Sequence, residues 1–211
     1  MKAKLFLLPF AFFTMLTFST ITTSWATVIT FDDLSETASG SFIANGYQGL
    51  NWSEILAFNA ILHTNLPVVI GGGVSGFYYG MVSASNAISI GGYGPAEIDT
   101  FTNLNFRSAY LTGAWRSNLN VQVQGFRGGS LLYDTIVVAS ATNPTLFTFN
   151  YLDIDRLSFN TSGGEAAFEH DGGAIVVLDN LSFEFVPEPS SFLLTTVAAL
   201  MLWPLLRRKR A

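Results

Sequence analysis

Asp153 and Asp155 lie two residues apart in the stretch Tyr151-Leu152-Asp153-Ile154-Asp155. On a β-strand, where side chains alternate, that spacing puts both carboxylates on one face. Glycoside hydrolysis asks for two acids flanking a sugar. Nothing in the sequence fixes a partner at catalytic distance, and a solvated strand edge is the simpler reading. Glu169-His170-Asp171 offers metal-ligating and acid–base groups. Three neighbours on one loop cannot all turn inward, so a polar turn ahead of a final strand accounts for them better. His63, the other histidine, has no charged neighbour in sequence. Gly73-Val74-Ser75-Gly76-Phe77 has the outline of a nucleophile elbow, but that motif needs glycine two places after the serine and a helix behind it. Phe77 holds that place, and no helix is expected. The chain has no cysteine, and no lysine between residues 27 and 186. Thiolate chemistry, disulfides and Schiff-base mechanisms are thereby excluded from that span.

The elements that would position these groups are strands. No segment between Thr27 and Val186 sustains a helical period. Short runs of β-branched and aromatic residues are broken by glycine, asparagine and serine instead. Strands are predicted at 28–31, 87–90, 109–115, 119–124, 131–138, 146–149, 154–159 and 174–185. Residues 119–124 alternate strictly, so Leu119, Val121 and Val123 belong to a core and Asn120, Gln122 and Gln124 to solvent. The turn Arg127-Gly128-Gly129 then makes a hairpin with 131–138. Leu181, Phe183 and Phe185 repeat the pattern on the last strand. Residues 45–94 are the least regular, rich in glycine and aromatic rings. The whole pattern argues for an all-β, antiparallel, jelly-roll-like β-sandwich. The run from Tyr110 through Val138 and the closing Val177-Leu178-Asp179-Asn180-Leu181-Ser182-Phe183 resemble galactose-binding-like and carbohydrate-binding-module sandwiches.

That resemblance implies neighbouring terminal strands that share a structural calcium. Asp32 and Asp33 follow the first strand and Asp179 sits inside the last. Calcium is held by hard oxygen ligands at roughly 2.3 to 2.6 Å, and a carboxylate in an apolar strand needs a partner. The other reading of Asp179 is a solvent-facing residue, or one that caps a turn through a bulge. Trp52, Tyr78, Tyr79 and Trp115 are the rings that could meet a ligand from loops on a rigid sheet; they could equally be core.

The two ends carry a different signature. Lys2 and Lys4 precede the apolar run 5–18, and Ser24-Trp25-Ala26 places small residues where a signal peptidase would cut, between Ala26 and Thr27. Residues 1–26 are therefore predicted to be a signal peptide forming a helix. Residues 190–206 contain no charge and match the lower length of a membrane-spanning helix across a bilayer of about 30 Å. Arg207, Arg208, Lys209 and Arg210 follow, a basic tail that stays on the cytoplasmic side. Val186-Pro187-Glu188-Pro189, the hydrophobic helix and the arginine-rich end together resemble the PEP-CTERM sorting signal of Gram-negative bacteria. The resemblance covers 187–211 and implies recognition by an exosortase-type enzyme, processing near the motif and association with extracellular polysaccharide or biofilm. Between the ends, 27–186 is one domain by size, with four arginines against fourteen carboxylates and a formal charge of −10. So acidic a body repels phosphate backbones, which excludes nucleic acid as a partner.

Two functions are consistent with these features. One is a non-enzymatic exported protein, anchored at the inner membrane and then placed at the cell surface or in the matrix, where it binds polysaccharide. The other is a secreted hydrolase of that polysaccharide. A converging acid, base and nucleophile would separate them, and the sequence displays none.

Overall fold

Alternation decides the central hairpin. Leu119, Val121 and Val123 are fully buried, while Gln122 and Gln124 point outward and donate to Asp134 on the opposing strand. The structure, a computed structural model, describes residues 26–68, 72–92 and 94–187. The predicted signal helix, the hydrophobic stretch 190–206, the basic tail Arg207, Arg208, Lys209 and Arg210, and Glu188 and Pro189 of the sorting motif lie outside these residues. Among the described residues no helix is long and apolar enough to cross a membrane.

The described strands are β1 (Thr27–Ile29), β2 (Ser41–Phe42), β3 (Asn51–Ser53), β4 (Ile55–Asn59), β5 (Asn86–Ile90), β6 (Ala96–Gly113), β7 (Arg116–Arg127), β8 (Ser130–Ala139), β9 (Thr145–Ala166) and β10 (Val176–Phe185). They pair antiparallel in the order β2-β4-β5-β10-β6-β9-β7-β8, with β1 on β10 and β3 on β6. The all-β, antiparallel expectation holds. So does the adjacency of the terminal strands, since Thr27 faces Phe183 and Ile29 faces Leu181. β7 and β8 form the expected hairpin, with Val121 opposite Val137.

The inner face of the sheet closes on one core that includes Phe31, Ile98, Phe106, Val121, Phe159 and Phe183. A second, smaller core lies on the outer side of β10, where Phe58, Phe77, Trp115 and Val177 pack together. Two four-residue helices, α1 (Ala60–His63) and α2 (Gly76–Tyr79), cover it. β10 is therefore apolar on both faces: Val176 and Leu178 join the main core and Val177 the small one. At Asn180, whose φ is 50°, a bulge adds one residue and resets the alternation, so that Leu181 and Phe183 return to the main core.

The two predicted strands 146–149 and 154–159 are parts of one long β9, and 109–115 is the far end of an equally long β6. Register shifts along the β6–β9 ladder break the period of two, which is why a continuous strand reads as fragments. β4 was not predicted because Ile-Leu-Ala-Phe-Asn does not alternate. Ile55 and Ala57 enter the main core while Phe58 enters the small one. The absence of a helix after Ser75 is also corrected. Ser75 sits in extended backbone as the N-cap of α2, and one helical turn follows it.

Candidate functional site

The rings singled out from the sequence do not converge. Trp52 is buried; its indole N–H donates to the Tyr47 carbonyl at 3.1 Å and its ring meets Phe31 edge-on at 5.9 Å. Trp115 is buried in the small core, edge-on to Phe77 at 5.1 Å and to His170 at 4.9 Å. Both tryptophans are core residues, because a ring enclosed by neighbours cannot offer its face to a ligand. Trp115 also explains a glycine. A Cβ on Gly172 would come within 2.4 Å of the indole nitrogen, so only glycine fits. Tyr78 and Tyr79 are the exposed pair; they meet edge-on at 5.9 Å, and Tyr79 stacks on Phe168 at 6.4 Å.

The three acids expected to share calcium are engaged separately, each by hydrogen-bond donors. Asp179 is fully buried on the side of β10 that carries Val177. Its carboxylate accepts from the backbone N–H groups of Val82 and Ser83 at 2.7 and 2.8 Å, from the Ser83 hydroxyl, and from the Asn180 N–H. It fastens the chain that follows α2 to the last strand. Burial pushes its carboxyl up to about 6, and those donors pull against the shift. Asp32 accepts from the Asn86 N–H at 3.0 Å, and Asp33 accepts from the Tyr47 hydroxyl at 2.6 Å. Burial, and after it Asp33, raise the Tyr47 phenol. Among the described residues no group of three or more histidine, aspartate or glutamate side chains converges on a metal position. Oxygens turned toward N–H and O–H groups do not fit a cation, and the bulge at Asn180 with the loop it captures accounts for Asp179.

Glu169-His170-Asp171 divides three ways. Asp171 pairs with the Arg116 guanidinium at 2.9 Å, which lowers its carboxyl, His170 packs on Trp115, and Glu169 is exposed. His63 lies against Phe77 and within hydrogen-bond distance of the Ala38 carbonyl, 2.8 Å. The Ser75 hydroxyl is buried without a hydrogen-bond partner and lines a hollow of about 200 Å³ with Trp115, Glu169 and His170.

A further polar arrangement lies elsewhere, around Phe101. The β6–β9 ladder shifts register between Asp99 and Leu104, and the chain arches between them. Thr100 stiffens the arch: its hydroxyl donates to the Thr102 carbonyl at 2.8 Å and accepts from the Thr102 N–H. Phe101 at its crest is 93% exposed. On one side of the ring is a hollow of about 340 Å³ bounded by Asn103, Arg127, Asp153, Val186 and Pro187. On the other is one of about 280 Å³ bounded by Asp99, Gly129, Asp155 and Arg156. Asp153 and Asp155 do face one place, the β7–β8 turn. Asp153 pairs with Arg127 and accepts from Asn103 at 2.7 Å, and Asp155 accepts from the Gly128 N–H at 2.6 Å. Sequence reasoning found these two acids and missed the ring between them. At the edge of this site the chain leaves the sheet, where the Val186 N–H donates to the Asn103 carbonyl at 2.8 Å.

No family model matches the chain, and no curated protein does. Among solved structures it is similar to a DUF4465 family protein from Bacteroides ovatus ATCC 8483, at 9% identity over 76% of this chain and 99% of that one, with a TM-score of 0.37. It is also similar to TmCBM61 in complex with beta-1,4-galactotriose, at 10% identity over 70% and 98%, with a TM-score of 0.30. Both likenesses are too distant to bear on ligand or mechanism.

Proposed function

We propose that this chain is an exported, non-enzymatic surface protein with a sandwich-like sugar-binding domain between two removable ends. A signal peptidase releases it after Ala26. The PEP-CTERM signal then holds it at the inner membrane until an exosortase-type enzyme processes it near Pro187, and it joins the extracellular polysaccharide.

One observation carries this reading. Thr27, the first residue after the signal segment, is already paired with Phe183, and the last described backbone bond of the sheet's exit is made by Val186, one residue before Pro187. Among the described residues the bonds of the ladder fall between Thr27 and Val186, so cutting after Ala26 or at Pro187 breaks none of these. The reading as a binding protein draws support from how the would-be catalytic groups are employed: Asp153 is tied to Arg127, Asp171 to Arg116, and His170 to the Trp115 ring.

The test is expression of the full chain in hosts with and without an exosortase, followed by intact mass and fractionation. The expected result is a shortened chain outside the membrane fraction only in the first host, and membrane retention in the second. Replacing Arg207, Arg208, Lys209 and Arg210 by neutral residues should weaken that retention, since the cationic cluster sets orientation. Equal mass and equal location in both hosts would overturn the sorting model.

A further inference from the structure

We propose that the cleft astride Phe101 binds a glycan of amino sugars with free amines, the ring stacking on a sugar face and Asp99 receiving the ammonium. This rests on the sugar-binding reading above and says where and for what class.

A phenylalanine at 93% exposure has given up the burial that normally accounts for the residue. The Thr100 bonds hold the arch in place without a ligand, so the ring is presented at little ordering cost. Hollows of about 340 and 280 Å³ flank it, close to the lower bound of small-molecule sites, roughly 300 to 1,000 Å³. An apolar ring between polar walls suits a sugar, whose C–H face is apolar and whose rim is a ring of hydroxyls.

The walls decide the charge. Both guanidinium groups of the cleft are already committed: Arg127 to Asp153, and Arg156 to Glu97 at 3.5 Å while lying 4.3 Å over the Phe126 ring. Against these two cations stand Glu97, Asp99, Asp153 and Asp155, so an anionic sugar that reached either guanidinium would meet a net excess of like charge. Asp99 is the opposite case. No hydrogen bond from the described residues reaches its carboxylate, which is half-buried and faces the like charges of Glu97 and Asp155 with Arg156 as the one opposing group. Burial first, and those acids second, raise its carboxyl. A cation entering here gains a charge-assisted bond and relieves the repulsion.

The experiment titrates the full chain in detergent with glucosamine oligomers, N-acetylglucosamine oligomers and oligomers of a uronic acid, by calorimetry. Glucosamine oligomers should bind best, N-acetylated ones roughly ten- to a hundredfold more weakly, in line with the loss of one charge-assisted bond, and uronates not at all. Phe101→Ala should weaken binding of both amino-sugar series at least tenfold. Asp99→Asn should abolish the preference for the free amine while N-acetylated oligomers still bind. If Phe101→Ala binds as tightly as the parent, or uronates bind best, the site or its class is wrong while the sugar-binding reading stands. If the parent chain binds none of the three, both fall, whatever the sorting experiment returns.

Discussion

Trp115 and Phe101 lie toward opposite ends of β6, and their surroundings are opposite. Just beyond the end of β6, Trp115 is enclosed by Phe77, His170 and the glycine at 172, beneath α2. Near the start of β6, Phe101 touches almost nothing. The sequence draws attention to the buried ring: Trp115 looks like a loop ring that could meet a ligand and belongs to a second core with Phe58 and Phe77, whereas the exposed ring stands in an unremarkable Thr-Phe-Thr-Asn. The difference lies in what covers each end of the strand. The helices α1 and α2 fold back over β10 and need rings to fill the gap; among the described residues no element covers the arch at 100–103.

The comparison can be broken most decisively at Trp115. Trp115→Ala should cost about 3 to 5 kcal/mol in denaturant unfolding, the usual toll of deleting a large buried ring. A loss below about 1 kcal/mol would mean that the small core is not a core. The next effect belongs to the clamp that ties the covering segment down. Between the ordinary carboxyl value of 3.8 and about 6, the folded chain keeps on Asp179 a proton that the unfolded chain has released. Stability from this group is therefore full below about pH 4, falls as pH rises to about 6 and is flat above, with a slope of up to about 1.4 kcal/mol per pH unit. Asp179→Asn should remove that slope from the stability profile; an unchanged slope would assign it to another group.

Smaller effects sharpen the contrast. Gln122→Asp sets a second carboxylate beside Asp134 on the solvent face and should cost about 0.2 to 1 kcal/mol, most at low salt. Phe101→Ala should leave stability within about 0.5 kcal/mol of the parent. A melt that drops as far as that of Trp115→Ala would show Phe101 to be packed, and would remove the premise of the cleft.

The legible parts of the fold were those in which one face is wet. β7 could be read residue by residue because Val121 and Gln122 have different neighbours. The unreadable parts were those covered twice or shifted in register. β4 and β10 carry apolar residues on both faces, and bulges at Asn180 and along β6–β9 change the period partway. The site was legible only in its charges. Asp153 and Asp155 share a face by spacing alone, but their partners Arg127 and Gly128 come from a turn some 26 residues earlier in the chain. Asp179 announced itself as a carboxylate in an apolar strand. Its satisfaction by the N–H groups of Val82 and Ser83, almost a hundred residues away, is a fact of the tertiary fold.

The placement of β10 has a mechanical consequence. Any pull applied at Pro187 enters the domain through β10, which lies between β5 and β6 and also carries β1. Tension along that strand loads the cross-strand bonds from Val176 to Phe185 side by side, in shear, where an edge strand peeled from its end would yield one bond at a time. Were the chain tethered at that end, force would reach the middle of its sheet, through the strand that Asp179 fastens to the covering loop.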